Sequence, residues 1–364
     1  MRLAILGTRG VPPHYGGFET FAAELGTRLV QRGHEVFVYC RGERGAASGE
    51  QEYCGIRRIE LPSLDHKYFE TVSHSALSAL DALRRDFDAI LVCNAANAFV
   101  LPLLRAARIP VAINVDGIER RRRKWNALGK AVYAIGESLS VIFANRVVAD
   151  AHVIGDYYRE RFGIAPVMIP YGADFPDEAD SDVLVRIGIE PRNYILYVSR
   201  FEPENNPLEV VEAYEKVTNA PPLIMLGEAR YDKRLGDELA KHASERVRFP
   251  GALYGADYRT LQRNALLYIQ ATEVGGTHPA LIEAMASGGC VLAHGTPENR
   301  EVGGDAVAFF DLRPAQTLTG TLLECLADGA RRESMRSAAR ERAGRLYGWK
   351  AVTDAYERLF LELA

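Results

Sequence analysis

Residues Tyr268 to Cys290, YIQATEVGGTHPALIEAMASGGC, decide how this chain is read. A short apolar strand breaks at Gly275-Gly276, turns through Thr277-His278-Pro279, and continues as a helix from Ala280 to Ala286 that stops at Gly288-Gly289. Proline at the entry and glycine after the exit is the polarity of a helix. The amides of Gly276, Thr277 and His278 then sit at a helix N-terminus, where unpaired N–H groups and the dipole favour an anion such as a diphosphate. Glu283 falls one turn further in, where a carboxylate can accept bonds from vicinal hydroxyls such as those of a ribose. Alone, the stretch is also what any strand–turn–helix unit of an α/β core looks like, so its meaning depends on the rest of the chain.

Working backwards, Tyr194 to Val198 is another strand, and SRFEPENNP (Ser199–Pro207) is its exit loop. Arg200 stands at the strand's carboxyl end, where a planar guanidinium can hold phosphate oxygens in pairs. Leu223–Leu226 and Val247–Phe249 add strands, and the loop Pro250–Tyr254 that follows offers backbone and Leu253 to line a nucleobase. In the first half, Leu3–Leu6, Glu35–Tyr39, Ala89–Cys93, Val111–Val115 and Arg146–Ala149 alternate with helical segments, the first of them Phe18–Arg32. Strand and helix in alternation mean parallel sheets covered on both faces, with ligands at the carboxyl ends of the strands.

The loop after the first strand, GTRGVPPHYGGFET, lacks GxGxxG spacing, which argues against a redox dinucleotide. It does place Gly16-Gly17 directly ahead of a helix, with His14 and Glu19 beside them. Asp86-Phe87-Asp88 has the DxD pattern of a metal site but precedes its strand, at the wrong end of the sheet. It reads as strand entry. Asp150 closes the strand Arg146–Ala149 and points to the ligand side, and a later strand, VMIP, ends at Tyr171-Gly172-Ala173-Asp174. Asp116 leads into Arg120–Lys124 and Trp125. A charge run is often only a solvated face; here the adjacent cations and the indole also suit anionic lipid head groups or a lipid-linked diphosphate.

The 364 residues, 48% hydrophobic with net charge -4, describe a soluble protein of two domains and give no reason to expect nucleic acid. Five scattered cysteines without CxxC spacing fit reduced thiols and no metal cluster. No apolar run approaches a membrane span or a signal segment, so the expected location is cytoplasmic.

Five motifs in this order, GTRGVPPHYGGFET, VDGIERRRRKW, YGAD, YVSRFEPENNP and VGGTHPALIEAMASG, resemble those of family-four GT-B glycosyltransferases and, within them, the bacterial rhamnosyltransferase-like group. The resemblance covers essentially the whole chain. It implies two facing Rossmann-like domains with a central cleft: residues 1–178 binding the acceptor, joined by a final helix at about 346–364, and residues 179–345 binding a nucleotide sugar, with the acidic segment 176–182 as linker. By the same resemblance Gly16, Gly17 and Arg200 contact the donor diphosphate, Asn205 stands where a lysine usually does, and Glu283 binds the ribose. Asp150 and Tyr171 match active-site positions. Glu19, Asp116, Arg121, Arg122, Arg123, Lys124 and Trp125 fall on the acceptor or membrane side.

Two departures stand out. The family's first glutamate, separated from Glu283 by seven intervening residues, is replaced by Gly275, with Glu273 displaced by two positions. The second departure is Asn205 itself. Both suit a deoxysugar donor, so the expected reaction is retaining transfer of L-rhamnose from a dTDP-rhamnose-type donor to a lipid-linked or oligosaccharide hydroxyl, without metal or other cofactor. A UDP- or GDP-sugar transferase, a nucleotide-sugar epimerase and a non-catalytic sugar-nucleotide binder remain alternatives.

Overall fold

A computed structural model describes the chain except residues 14–15, 43–49, 65–68, 124, 175–180, 231 and 313–316. His14, Lys124 and most of the expected linker therefore lie outside the described residues. The chain divides into two compact units: Met1–Arg121 with Trp125–Tyr171 and Trp349–Ala364, and Gly172–Gly348 with Arg122–Lys124. The division falls at Tyr171/Gly172 and Gly348/Trp349; the sequence reading set it at 178/179 and at about 345/346.

The first unit is built on an eight-stranded sheet of β1 (Arg2–Leu6), β2 (Glu35–Arg41), β3 (Glu50–Tyr53), β4 (Ile56–Leu61), β5 (Ala89–Cys93), β6 (Val111–Asn114), β7 (Arg146–Ala149) and β8 (Val167–Met168). Their spatial order is β3-β4-β2-β1-β5-β6-β7-β8. All neighbours are parallel except the β3–β4 pair. That hairpin escapes the sequence reading. It turns at Cys54-Gly55, both at positive φ (49° and 81°), as a tight two-residue hairpin turn requires. β5 and β6 are buried along their whole length, because helices cover both faces.

The second unit carries β9 (Ile195–Val198), β10 (Leu223–Leu226), β11 (Val247–Gly251), β12 (Leu267–Gln270), β13 (Val291–His294) and β14 (Ala308–Phe310). They form one parallel sheet in the order β11-β10-β9-β12-β13-β14. Its core gathers Ile195, Tyr197, Leu223, Met225, Leu267, Ile269 and Leu292 with the helices above and below.

Both sheets reverse direction once. From β1 the chain steps outward through β2 to β4, then restarts on the other side at β5. From β9 it steps through β10 to β11, then restarts at β12. The crevice outside such a reversal is where open α/β sheets bind ligands, and it fixes where each candidate site must be.

The last helix, Trp349–Leu363, belongs to the first unit. Trp349, Tyr356 and Phe360 are buried, with Trp349 and Tyr356 packed on Phe21. Arg32 pairs with Asp354 and Glu357, and His34 with Glu357, closing the helix against the start of β2.

Candidate functional site

In the second unit the exit loops of β9 and β12 stand side by side at the reversal. The β9 loop gathers three hydrogen bonds on one atom, the Arg200 carbonyl. It accepts from Ser199 Oγ (2.8 Å), Asn205 Nδ2 (2.6 Å) and the Glu202 amide (2.8 Å). Gly227, at φ +149°, permits this path, since a Cβ there would stand 1.8 Å from the Ser199 carbonyl. With its backbone pinned, Arg200 projects a half-exposed guanidinium 3.8 Å from Glu202.

The two loops are stitched together. The Glu273 amide donates to the Glu204 carbonyl (2.8 Å), and Asn206 Nδ2 to the Ala271 carbonyl (2.8 Å). His278 Nδ1 meets Asn299 Oδ1 at 2.8 Å, while Asn299 Nδ2 reaches the carbonyls of Thr272 and His294. Burial drives the His278 pKa down, keeping the ring neutral. The helix Pro279–Ala286 starts directly after it, and the amides of Gly276 and His278 donate to no group among the described residues. Within that helix Glu283 accepts from Tyr258 Oη at 2.6 Å, and Tyr258 Oη accepts in turn from Gln262 Nε2 at 2.7 Å. A guanidinium, unspent backbone amides and an oriented carboxylate one turn inside a helix are the chemistry that holds a diphosphate and a diol.

Both departures have structural causes. A Cβ on Gly275 would lie 2.3 Å from His278 Nε2, so the ring occupies the place of a side chain. Asn205 is only 4% exposed and its amide holds the Arg200 carbonyl. It shapes the loop from which the expected donor contact would be made. Glu273 is engaged by Arg123 at 3.2 Å. Leu253 follows β11, two strands away from β9, and is half-buried beside the exposed Tyr254.

The basic run is only partly solvated: Arg121 and Arg123 are exposed and Arg122 is buried. Arg120 bonds Tyr157 Oη (2.8 Å) and approaches Glu137 (3.2 Å), and the Arg121 guanidinium lies 5.8 Å from the Tyr157 ring centre. Arg122 is 7% exposed and pairs with Glu204 (3.3 Å) and Glu202 (3.7 Å). Arg123 donates to the Pro203 carbonyl (2.6 Å) and Asn206 Oδ1 (2.9 Å). Adjacent cations thus take separate partners, buried for Arg122 and at the surface for Arg121 and Arg123, because loop backbone turns successive side chains in different directions. Trp125 packs on Tyr133, with ring centres 5.2 Å apart.

In the first unit Gly16 caps the helix Gly17–Gln31 in an extended conformation, and Glu19 Oε1 accepts from the Arg9 amide at 2.8 Å. Asp116 follows β6 at φ +52°, its amide bonded to Asn114 Oδ1. Asn114 Nδ2 donates to Tyr356 Oη at 2.9 Å. Asp150 follows β7 and is buried. Burial, then Cys93, Asp150 and Asp116, push the Tyr356 phenol up; burial, Glu19 and Asp116 push up the Cys93 thiol. Asp116 thus acts on both groups, together with Asp150 on Tyr356 and with Glu19 on Cys93. Tyr171 is buried after β8 against Phe21 and Trp349, at 6.4 and 5.3 Å between ring centres, in an aromatic cluster that the sequence did not reveal. Asp88 accepts from the Arg2 amide at strand entry, and no group of metal-ligating side chains occurs among the described residues.

Burial is the main cause raising the Glu19 pKa, against the Arg9 amide bond. A folded-state value above the unfolded one means the carboxyl favours folding while protonated, and that contribution is lost as pH rises through the folded value. Glu19→Gln keeps an acceptor for the Arg9 amide. Its stability gain over wild type should therefore grow from pH 4 to pH 8 in thermal unfolding; a pH-independent difference would refute the buried, raised carboxyl.

Comparison with known proteins agrees with this geometry. Residues 15–175 match the family model described as Glycosyltransferase Family 4, and residues 185–342 match Glycosyl transferases group 1. The chain is a glycosyltransferase with the GT-B fold, a family 4 domain followed by a group 1 domain. A search of curated proteins finds no match. Among solved structures, a sucrose-phosphate synthase from Thermosynechococcus elongatus is 19% identical, covering 100% of this chain and 98% of that one with a TM-score of 0.83. Anabaena HepE in complex with UDP and glucose is 16% identical over 100% and 99%, with a TM-score of 0.80. An α,α-trehalose-phosphate synthase (UDP-forming) from Burkholderia vietnamiensis is 13% identical over 99% of each, with a TM-score of 0.70.

Proposed function

We propose that the second unit binds a nucleoside-diphosphate sugar and the first unit its acceptor, and that the enzyme transfers a deoxyhexose, L-rhamnose from dTDP-rhamnose, to a lipid-linked or oligosaccharide hydroxyl with retention. The observation that carries this reading is the pair of loops after the neighbouring strands β9 and β12, hydrogen-bonded to each other, one carrying Arg200 and the other the helix-terminal amides of Gly276 and His278. Arg200 and the Gly276 and His278 amides bind the diphosphate and stabilise the charge that develops as the sugar–phosphate bond breaks. Glu283, oriented by Tyr258, takes the ribose hydroxyls. The acceptor oxygen attacks the anomeric carbon on the face the nucleotide leaves. Its proton passes to the departing phosphate, so the products are glycoside and nucleoside diphosphate. Asp150 stabilises positive charge at the anomeric carbon or positions the acceptor. No metal enters the scheme.

The deoxysugar assignment rests on Gly275: with His278 in that space, the loop offers no carboxylate at the position to bind a further sugar hydroxyl. A UDP-hexose donor is the second reading, favoured by the UDP and UDP-glucose complexes of HepE. A panel of nucleotide sugars assayed for acceptor-dependent nucleotide release separates them. Turnover of dTDP-rhamnose is expected; turnover of UDP- or GDP-sugars alone refutes the rhamnose assignment and leaves the transferase standing. Release without acceptor would favour the epimerase alternative.

Glu283→Ala should raise the donor KM about tenfold or more, the loss of hydrogen bonds to a charged acceptor being about 1.5–3 kcal/mol. Initial rates against donor concentration check this. An unchanged KM would remove Glu283 from the ribose site.

A further inference from the structure

In the turn between β12 and the helix Pro279–Ala286, hydrogen bonds fix the place of one imidazole proton. Asn299 is fully buried, and its Nδ2 donates to the carbonyls of Thr272 (3.2 Å) and His294 (2.9 Å). Carbonyls only accept, so Oδ1 is the end of the amide that faces His278 Nδ1 at 2.8 Å, and the ring proton sits on Nδ1. Burial lowers the ring's pKa against that bond, and Arg122 lowers it further against the Val274 carbonyl. The imidazole is neutral, and Nε2 carries a lone pair.

No group among the described residues uses that lone pair. His278 is only 9% exposed, and Nε2 is closed off from solvent without a hydrogen bond. Buried polar atoms are nearly always paired, so an acceptor left empty in a folded protein calls for a donor from elsewhere. Its direction narrows the choice. A Cβ built on Gly275 would stand 2.3 Å from Nε2, and the three atoms nearest to it all belong to the His278 ring. Nε2 therefore opens on the space that a side chain at position 275 would fill, in the turn whose Gly276 and His278 amides take the diphosphate in the donor reading. A diphosphate offers this nitrogen nothing, because its oxygens at neutral pH accept as well. The ribose hydroxyls go to Glu283, one turn further along the helix. What remains on a nucleotide sugar is a hydroxyl of the sugar itself.

We infer that His278 Nε2 accepts a hydrogen bond from one hydroxyl of the sugar being transferred, so that the imidazole in front of Gly275 helps to select the donor. This deepens the donor reading and rests on it. One neutral nitrogen takes a single hydroxyl hydrogen where a carboxylate can take two, which suits a deoxysugar.

Nitrogen-15 NMR of the full chain with labelled histidine tests this, the His278 signals being identified by their absence from His278→Gln. Saturating dTDP, dTDP-rhamnose, UDP and UDP-glucose are added to separate samples. The Nε2 resonance should move upfield, as a lone pair entering a hydrogen bond does, with dTDP-rhamnose and not with dTDP. In titration calorimetry His278→Leu should bind dTDP-rhamnose about tenfold more weakly while its affinity for dTDP changes by less than about threefold. His278→Gln, which can present an amide oxygen, should recover part of that loss. Equal weakening of dTDP and dTDP-rhamnose would show that the ring only braces the turn, and it overturns the inference. So does an Nε2 signal that stays in place while calorimetry shows the sugar nucleotide bound, a result that leaves the diphosphate site standing. A shift with UDP-glucose alone supports the imidazole as the sugar contact and removes the rhamnose assignment. If none of the four ligands binds, the donor reading fails and this inference with it.

Discussion

Arg200→Ala should lower kcat/KM for the nucleotide sugar by about two to three orders of magnitude while leaving the melting temperature close to wild type. The reasoning starts with what the loop already holds. The Arg200 carbonyl takes three hydrogen bonds, so the backbone keeps its path when the side chain is removed. The guanidinium itself is half-exposed, with Glu202 at 3.8 Å, and an exposed pair at that distance adds little stability. Its value lies in the charge appearing on the diphosphate as the glycosidic bond breaks, where loss of one preorganised donor costs about 2.7–4 kcal/mol. Arg200→Lys should fall between alanine and wild type, since it keeps the charge and loses the planar fork. Steady-state rates with donor varied at saturating acceptor decide the matter. If Arg200→Ala turns over normally, the diphosphate is held elsewhere and the account of the second unit fails.

The sequence was legible where one rule governed a whole segment. Runs such as AILVC and LIML are short, apolar and bounded by polar residues, and they are the fully buried strands β5 and β10. Once the strands are placed, the sites follow, because ligand loops of a parallel sheet leave its carboxyl ends. That argument put Arg200, Asp150 and the Gly276 turn at strand exits, and Asp86 and Asp88 at a strand entry, which is where the strands leave them. It failed where side-chain direction mattered. Arg120 to Arg123 look interchangeable as letters, yet Arg122 is buried against acids 80 and 82 positions away in the chain, while Arg123 reaches Glu273. No periodicity encodes such pairs. The nearest signal was the polar run Glu202–Asn206 after an apolar strand, which a buried loop tolerates only if every group finds a partner. Asn205 shows the same limit: its letter does not tell that its amide holds the carbonyl of Arg200 in the loop.

Arg122→Ala should destabilise the second unit by about 3–5 kcal/mol, the largest single-residue stability effect expected in this chain. Arg122 reaches Glu204 at 3.3 Å and Glu202 at 3.7 Å, and the Glu204 side chain is fully buried. Removing the arginine leaves a carboxylate without its counter-charge in a place water does not reach, and that uncompensated charge, more than the lost attraction, sets the cost. The same carboxylate belongs to the residue whose carbonyl holds the Glu273 amide, so the loop carrying the Gly276 turn should loosen with it. Calorimetry of the transition containing the second unit should show its Tm falling by about 6 °C or more, at about 2–4 °C per kcal/mol for a unit of this size. Pairing the change with Glu204→Gln separates the two causes. The glutamine carries no charge to strand, so the double variant should recover much of the loss, with a coupling energy well above the roughly 0.5 kcal/mol expected of independent sites. Additive effects, or an Arg122→Ala variant as stable as wild type, would mean that the arginine is solvated in solution, and its basic neighbours would regain their claim to a surface role.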